Sequence, residues 1–359
     1  MKFGGMVATK IDDWHIFPYL EELGYDSGWV PDSQMIWSDC YATLSLAAHN
    51  TSRIRLGTGV AIAGTRLAPV TAHSIASINK LAPGRVFLGI GTGHTAMRIM
   101  GQNPVSPHEF EEYLSVVRGL LTGEEVEYPK GKTRRPIRFL DRDLACIDIE
   151  NRIPLYVAAN GPKALRAAGV YGDGRISAGN EPTPLFKRNL ERIMQGAASA
   201  ERTMPEDFHS AVMTFSSVLQ KGENLTSERV IDETGAQVVA SLHFWYELFR
   251  QKGDDNFIMD SVRDTWEEYK KYVETEMPAG HRHLLIHEGH CATLPDRERC
   301  FVTPSMIKAS GGLVGEIDEL VSRIRDLDAA GLKEIVLMPP RDVMRSNFNV
   351  FAKKIMARC

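Results

Sequence analysis

Short apolar segments rich in β-branched residues alternate with amphipathic segments along most of the chain, and this alternation restricts the fold more than any other feature. In the amphipathic segments, apolar residues recur three and four positions apart, as on one face of a helix. Because parallel strands need a crossover between them, the pattern predicts a parallel sheet covered by helices. The predicted strands are 3–8, 27–30, 54–60, 86–90, 155–159, 175–178, 208–219 and 334–338.

Eight strand–helix units are the number that closes a TIM (β/α)8 barrel, so an α/β TIM barrel is the predicted fold class. An open, doubly wound sheet stays an alternative, because sequence alone does not show closure. We interpret the chain of 359 residues as one domain, 1–359. Two segments interrupt the pattern: 124–143, a predicted β-hairpin excursion, and 226–312, a large helical insertion after strand seven, predicted at the catalytic face.

The formal net charge of −4 argues against nucleic acid as the main partner and gives no sign of attraction to a membrane. No segment approaches the roughly 18 consecutive apolar residues that a membrane span needs. The five cysteines are scattered and odd in number, without a CxxC pair, which is not a disulfide framework. These features predict a protein of a reducing cytoplasm.

Three glycine-rich segments follow predicted strands: Gly57–Ala61, Gly89–His94 and Ala158–Pro162. Glycine at a strand end lets a ligand approach the backbone closely, and the free N–H groups that open a helix suit an anionic phosphate. Two such turns after adjacent strands predict one phosphorylated cofactor held between them. Tight connection without a ligand is the alternative for each turn. A dinucleotide fingerprint is the other alternative for Gly89–Gly93, but the segment reads GxGxG rather than GxGxxG.

Five motifs in this order give the chain a family resemblance. They are GYDSGWVPD at 24–32, TSRIRLGTGV at 51–60, GRVFLGIGTG at 84–93, PLYVAANGP at 154–162 and GVYGDG at 169–174. Together they resemble the luciferase-like oxidoreductase superfamily, in particular its coenzyme F420-dependent branch of the methylenetetrahydromethanopterin reductase type. The resemblance covers residues 1–180 and resumes at 315–339.

The resemblance implies that the ring of F420 or FMN lies in the barrel mouth, with its phosphate at the turns after strands four and five. It also implies a non-proline cis peptide at Gly59–Val60 behind the ring, a carboxylate beside the ring at Asp32 and an aromatic side chain nearby at Trp37. Family habit implies a homodimer. The cofactor-binding residues that it implies are Asp32, Gly59, Val60, Gly91, Thr92, Gly93, Ala159, Asn160 and Gly161.

The chain departs from the F420-dependent glucose-6-phosphate dehydrogenases at two positions. Ser33 stands where those enzymes have a histidine, and His94 stands where they have a glutamate. Their acid–base pair is therefore absent, and their sugar substrate is not carried over. Thr65-Arg66 is followed by Leu67-Ala-Pro69 instead of the frequent His-Pro, which removes support for a ligand role of this loop.

His94 and Asp32 are the predicted catalytic residues. His94 follows the glycine turn of strand four and can titrate near neutral pH, as a proton donor or acceptor must. A histidine that only bonds the backbone is the alternative. For Asp32, at the end of strand two, a helix N-cap is the alternative.

The segment 281–291 contains four histidines and Cys291. His287, His290 and Cys291 could ligate zinc, but the spacing is not HExxH and no second ligand cluster accompanies it. We therefore predict no metal, and assign His287 and His290 with Trp37 to the lining of the substrate site.

The predicted function is hydride transfer between F420 or FMN and a small organic substrate. The alternatives are an FMN-dependent monooxygenase that uses reduced flavin and oxygen, a metal-dependent barrel hydrolase centred on 281–291, and a flavin-binding relative without catalysis.

Overall fold

A computed structural model describes residues 1–130, 133–179 and 181–359. It confirms the TIM barrel: eight parallel strands form a closed sheet. Numbered in chain order, the barrel strands are β1 (Lys2–Met6), β2 (Ser27–Val30), β3 (Arg55–Ile62), β4 (Val86–Gly91), β7 (Leu155–Ala158), β8 (Gly174–Ala178), β9 (His209–Thr214) and β12 (Glu334–Leu337). Around the barrel they follow the order β1, β12, β9, β8, β7, β4, β3, β2.

The helices around the barrel pack on its strands through one large apolar core, to which Phe17, Leu44, Ile75 and Leu114 belong. In chain order, the helices of the molecule are α1 (Ile16–Glu22), α2 (Cys40–His49), α3 (Ala68–Leu81), α4 (His94–Arg98), α5 (Pro107–Leu121), α6 (Pro162–Tyr171), α7 (Thr183–Ser199), α8 (Glu228–Lys252), α9 (Arg263–Glu276), α10 (Arg282–Leu285), α11 (Pro304–Ala309), α12 (Ile317–Ala329) and α13 (Met344–Lys354).

Local sequence explains where helix α5 begins. The Ser106 side chain accepts a hydrogen bond from the Glu109 backbone N–H at 3.3 Å, and the Glu109 carboxylate accepts one from the Ser106 N–H at 3.1 Å. This capping box satisfies two backbone donors of the first turn. Pro107 occupies the first helical position, where its missing N–H costs no intrahelical bond.

The predicted hairpin excursion is present as an antiparallel pair, β5 (Val126–Lys130) and β6 (Thr133–Ile137). The two residues that connect these strands, 131 and 132, lie outside the described residues. Within the described part of the chain, no helix combines the length and the apolar character needed to cross a membrane.

The predicted strand at 208–219 is wrong as one continuous strand. The barrel strand β9 ends at Thr214, and β10 (Ser216–Val218) pairs instead with β11 (Leu313–Gly315) in a separate two-stranded sheet. The side chain of Phe215, between the two strands, packs over Gly312, where any Cβ would overlap its ring. The Phe215 ring belongs to a second apolar core, so the chain leaves the barrel there.

The predicted insertion at 226–312 contains helices α8 to α11, and these pack on each other through that second core, which includes Val239, Tyr246, Trp266 and Ile307. Its description as an insertion in a single domain remains an interpretation.

A buried polar network fills the amino-terminal end of the barrel, where β2, β9 and β12 begin. The Glu334 carboxylate accepts hydrogen bonds from the Ser27 hydroxyl and, at 3.2 Å, from the Trp29 indole N–H, and it lies 2.5 Å from Nε2 of His209. Burial alone would raise the pKa of Glu334, but the hydrogen bonds from His209, Ser27 and Trp29 lower it. This end of the barrel therefore holds a paired, ionised carboxylate.

Candidate functional site

Closely packed backbone surrounds the opposite, carboxyl-terminal mouth of the barrel. A Cβ on Gly59 would lie 2.6 Å from the Met6 methyl group and 3.0 Å from Cβ of Trp29, and one on Gly91 would lie 3.0 Å from Val60. Glycine is thus required at both positions by close approach. The Gly59–Val60 peptide bond is cis, as the resemblance implied; the contact of this bond with a cofactor ring remains a prediction.

The two predicted phosphate turns follow neighbouring strands, because β4 pairs with β7 through Ile90 and Val157. In the first turn, Gly93 has a φ of +83°, a left-handed conformation that favours glycine, and a Cβ there would lie 2.5 Å from Ile62. Thr92 is partly exposed between the two glycines. The shape of this turn therefore depends on glycine.

The second turn, at Asn160–Gly161, faces open space. A Cβ on Gly161 would have no atom of the described residues within 4 Å, and both residues are exposed. Gly161 precedes α6, and among the residues that the structure describes no side chain caps this helix. The first N–H groups of a helix have no partner within it, so this turn can donate to an anion.

A buried cation from strand β8, Arg175, supports this second turn. Its Nε donates to the Ala159 carbonyl at 2.7 Å, and one of its terminal nitrogens lies 3.5 Å from Oδ1 of Asn160. The Glu181 carboxylate pairs with the same guanidinium at 2.5 Å. The sequence analysis missed Arg175; the signal was a charged residue in an otherwise uncharged strand, Gly174–Ala178.

Asp32 is buried, and its carboxylate forms an ion pair with Arg66. Arg66 also pairs with the Asp39 carboxylate at 2.9 Å and lies over the Tyr41 ring, 4.9 Å from its centroid. The Asp32 charge is therefore already compensated within the protein. This arrangement suits a fixed charge beside the mouth better than a group that exchanges protons. Arg66 lies in a loop for which the sequence predicted no role, and its ion pair holds the Asp32 carboxylate in position.

His94 opens helix α4 and lines a small open cavity at the barrel mouth. Its ring meets the Phe244 ring edge to face at 5.3 Å between centroids. The surrounding protein, and secondarily the charge of Arg98, lower the pKa of His94. The imidazole is therefore neutral at neutral pH and able to accept a proton.

The cavity also brings together three histidines that are separate in the sequence. His287 and His290 come from the turn after α10, and His243 comes from α8; one ring nitrogen of each lies within 4.8 Å of the others. Nδ1 of all three rings and Nε2 of His287 are buried without a hydrogen-bond partner in the part of the chain that the structure describes. Trp37 lies beside His290, with ring centroids 5.9 Å apart, and its buried indole N–H also has no partner there.

Burial keeps two of these histidines uncharged. It lowers the pKa of His287 to about 2 and that of His290 to about 3, and His243 contributes to both shifts. Sequence reasoning found His287 and His290 but missed His243, because helix α8 carries no motif at that position.

Three comparisons with known proteins show the family and the fold of the chain. The Luciferase-like monooxygenase family model matches residues 15–334. The 5,10-methylenetetrahydromethanopterin reductase of Methanolobus tindarius is 34% identical over 206 residues, 56% of this chain and 60% of that protein. An F420-dependent glucose-6-phosphate dehydrogenase of Beutenbergia cavernae is 33% identical over 205 residues, 52% of this chain and 58% of that protein. The chain thus spans about three-fifths of these relatives.

One solved structure extends the comparison to the whole fold. The coenzyme F420-dependent tetrahydromethanopterin reductase of Methanopyrus kandleri superposes with a TM-score of 0.68 at 20% identity, over 99% of this chain and 98% of that one. The family model covers most of the chain, and the barrel of the structural relative agrees with the one described above. The chain belongs to the luciferase-like monooxygenase family.

Proposed function

We propose that the protein is an oxidoreductase that binds coenzyme F420 across the barrel mouth and transfers hydride to or from a small organic substrate. The observation that carries the proposal is the open, uncapped turn at Asn160–Gly161 beside the glycine turn of β4. The two relatives described above are named for a reductase and an F420-dependent dehydrogenase, which supports F420 ahead of FMN.

The residues of the mouth fit an anionic cofactor with a planar ring. Gly161 leaves free space at the start of α6, and Arg175 fixes the backbone of that turn from behind. Gly59 and Gly91 keep side chains out of the contacts around Val60, where we place the ring. Val60, Gly91, Thr92, Gly93, Ala159, Asn160 and Gly161 would hold the cofactor, with Asp32 as a fixed charge nearby.

When bound, the cofactor would supply or accept the hydride; the chain has to supply the proton and exclude water. His94 is the group that we propose to move the proton, since it is neutral and lines the cavity. Trp37, His287 and His290 would line the substrate site on the other side of the cavity.

Substitution of Gly161 by valine tests the placement of the phosphate. The backbone of Gly161, with φ −89° and ψ 160°, accepts valine, and the new side chain would fill only the free space. We expect F420 affinity, measured by fluorescence quenching, to fall at least about tenfold, which is about 1.4 kcal/mol.

Gly280→Val is the matched control, since Gly280 also has no atom within 4 Å of an added Cβ and lies away from the barrel turns. F420 affinity should stay unchanged in this variant. Unchanged affinity in Gly161→Val would refute the placement. Tight FMN binding with oxygen uptake and no F420 binding would favour the monooxygenase alternative. Cofactor binding without turnover of any carbonyl, imine or aromatic substrate would favour a non-catalytic relative.

The proposal also includes the cellular location and the oligomeric state of the protein. We place it in the cytoplasm, which fits its five free cysteines. We expect a homodimer, as in the family habit, and sedimentation analysis of the purified chain measures this state.

A further inference from the structure

We infer that His243, His287 and His290 form a binding site for a divalent transition-metal ion, zinc above all, at the wall of the cavity that His94 lines. This inference does not rest on F420 binding. It departs from the prediction of no metal, which considered only the segment 281–291 and could not include a ligand from α8.

The donor atoms carry the inference. The three rings approach until one nitrogen of each lies within 4.8 Å of the others, while a zinc ion with nitrogen ligands at about 2.0–2.1 Å needs separations of about 3.4 Å. Small rotations of the rings would close that difference. His287 and His290 are three residues apart in the turn that follows α10.

Each of the three rings has a buried nitrogen, Nδ1, without a hydrogen-bond partner among the described residues. His243 is 1% exposed and His287 5% exposed, and a buried polar atom without a hydrogen bond is costly to leave unpaired. A metal ion would pair all three rings at once. Few other ligands need three imidazole nitrogens converging on a single point.

The third histidine is oriented for this role by a carboxylate behind it. Nε2 of His243 lies 3.1 Å from the Glu298 carboxylate, and Glu298 is itself 1% exposed. With Nε2 engaged, Nδ1 is the nitrogen of His243 that remains to bind an ion. A carboxylate that holds the distal nitrogen of a histidine is the usual outer shell of a zinc ligand.

The surrounding charges favour a cation. Glu247 places a carboxylate oxygen 3.8 Å from Nε2 of His287, and Glu298 lies behind His243. Arg98 is a positive group of the cavity wall, and its guanidinium pairs with the Glu247 carboxylate at 2.7 Å, which offsets part of its charge. The two carboxylates against one guanidinium leave a net negative surrounding for a divalent ion.

Three nitrogen ligands leave the fourth position of a tetrahedral ion open. The three histidines line the same cavity as His94, so that position faces the space in which we place the substrate. A water molecule or an oxygen of an alcohol or carbonyl substrate is the class of ligand that fits it.

Metal analysis of tag-free protein tests the inference. We expect about one zinc ion per chain after incubation with zinc and gel filtration, and an intense visible absorption of the four-coordinate type with cobalt. His290→Ala should abolish both signals. His281→Ala is the matched control, since His281 belongs to the same histidine-rich segment but is exposed, and it should keep both signals.

Glu298→Gln tests the positioning role, and zinc affinity should fall about 10–100-fold. Circular dichroism establishes the folding of each variant, and the cobalt spectrum of the unaltered chain remains decisive if a variant does not fold. Absence of zinc and of the cobalt spectrum in the unaltered chain would overturn the inference, as would equal zinc binding by His290→Ala. F420 titration of the zinc-free protein separates this result from the proposed function.

Discussion

The two ends of the barrel differ in whether their buried polar groups have hydrogen-bond partners. At the amino-terminal end, Glu334 is completely paired with Ser27, Trp29 and His209. At the carboxyl-terminal end, Nδ1 of His243 and both ring nitrogens of His287 are buried and have no hydrogen-bond partner among the described residues. Paired groups specify and stabilise the fold, whereas unpaired groups are available to a ligand. We therefore expect the amino-terminal end to contribute mainly to stability and the carboxyl-terminal end to bind ligands.

The largest expected effect is on the rate at the functional end. His94→Ala should lower kcat about 10²–10⁴-fold if His94 moves the proton, while the free energy of unfolding changes by less than about 0.5 kcal/mol. Steady-state kinetics and urea unfolding measure the two quantities. His108→Ala, an exposed histidine, is the control and should change neither. A normal kcat in His94→Ala would remove His94 from the mechanism.

The next effect is on stability at the opposite end. Glu334→Ala leaves the buried His209 ring and the Ser27 hydroxyl without their acceptor, and we expect a loss of about 3–5 kcal/mol in the free energy of unfolding. Urea unfolding measures it, with the exposed Glu206→Ala as control. F420 and zinc affinity should be retained where the variant is folded. A loss below about 1 kcal/mol would contradict the proposed role of the amino-terminal end in stability.

The smallest effect is a dependence of that loss on pH. Because the pKa of Glu334 is lowered in the folded protein, its contribution to stability is present above the ordinary carboxyl pKa of about 4.5 and is lost as the pH falls through the folded pKa. The difference in unfolding free energy between the unaltered chain and Glu334→Ala should therefore shrink below pH 4.5. A difference that is constant down to pH 3 would contradict the ionised, paired state.

Sequence reasoning located the barrel because each of its strands and helices is encoded locally, by the spacing of apolar residues along the chain. The same reasoning missed the switch at Phe215, since an apolar run does not show which sheet it joins. The two glycine turns were located because glycine spacing is local as well; their phosphate role stays a prediction. The Asp32–Arg66 pair, the contact of Arg175 with the second turn and the histidine cluster that includes His243 all join residues that are distant in sequence, and no local pattern indicates such contacts.

The pairing of β10 with β11 fastens the beginning and the end of the intervening segment side by side, just outside the barrel. A stretch of chain anchored in this way can lengthen, shorten or change its side chains with small entropic cost to the scaffold beneath it. The wall over the mouth, which carries His243, His287 and His290, is therefore the part of this architecture most free to diverge. Sequence changes in this segment can alter substrate preference while the turns of β4 and β7 stay unchanged.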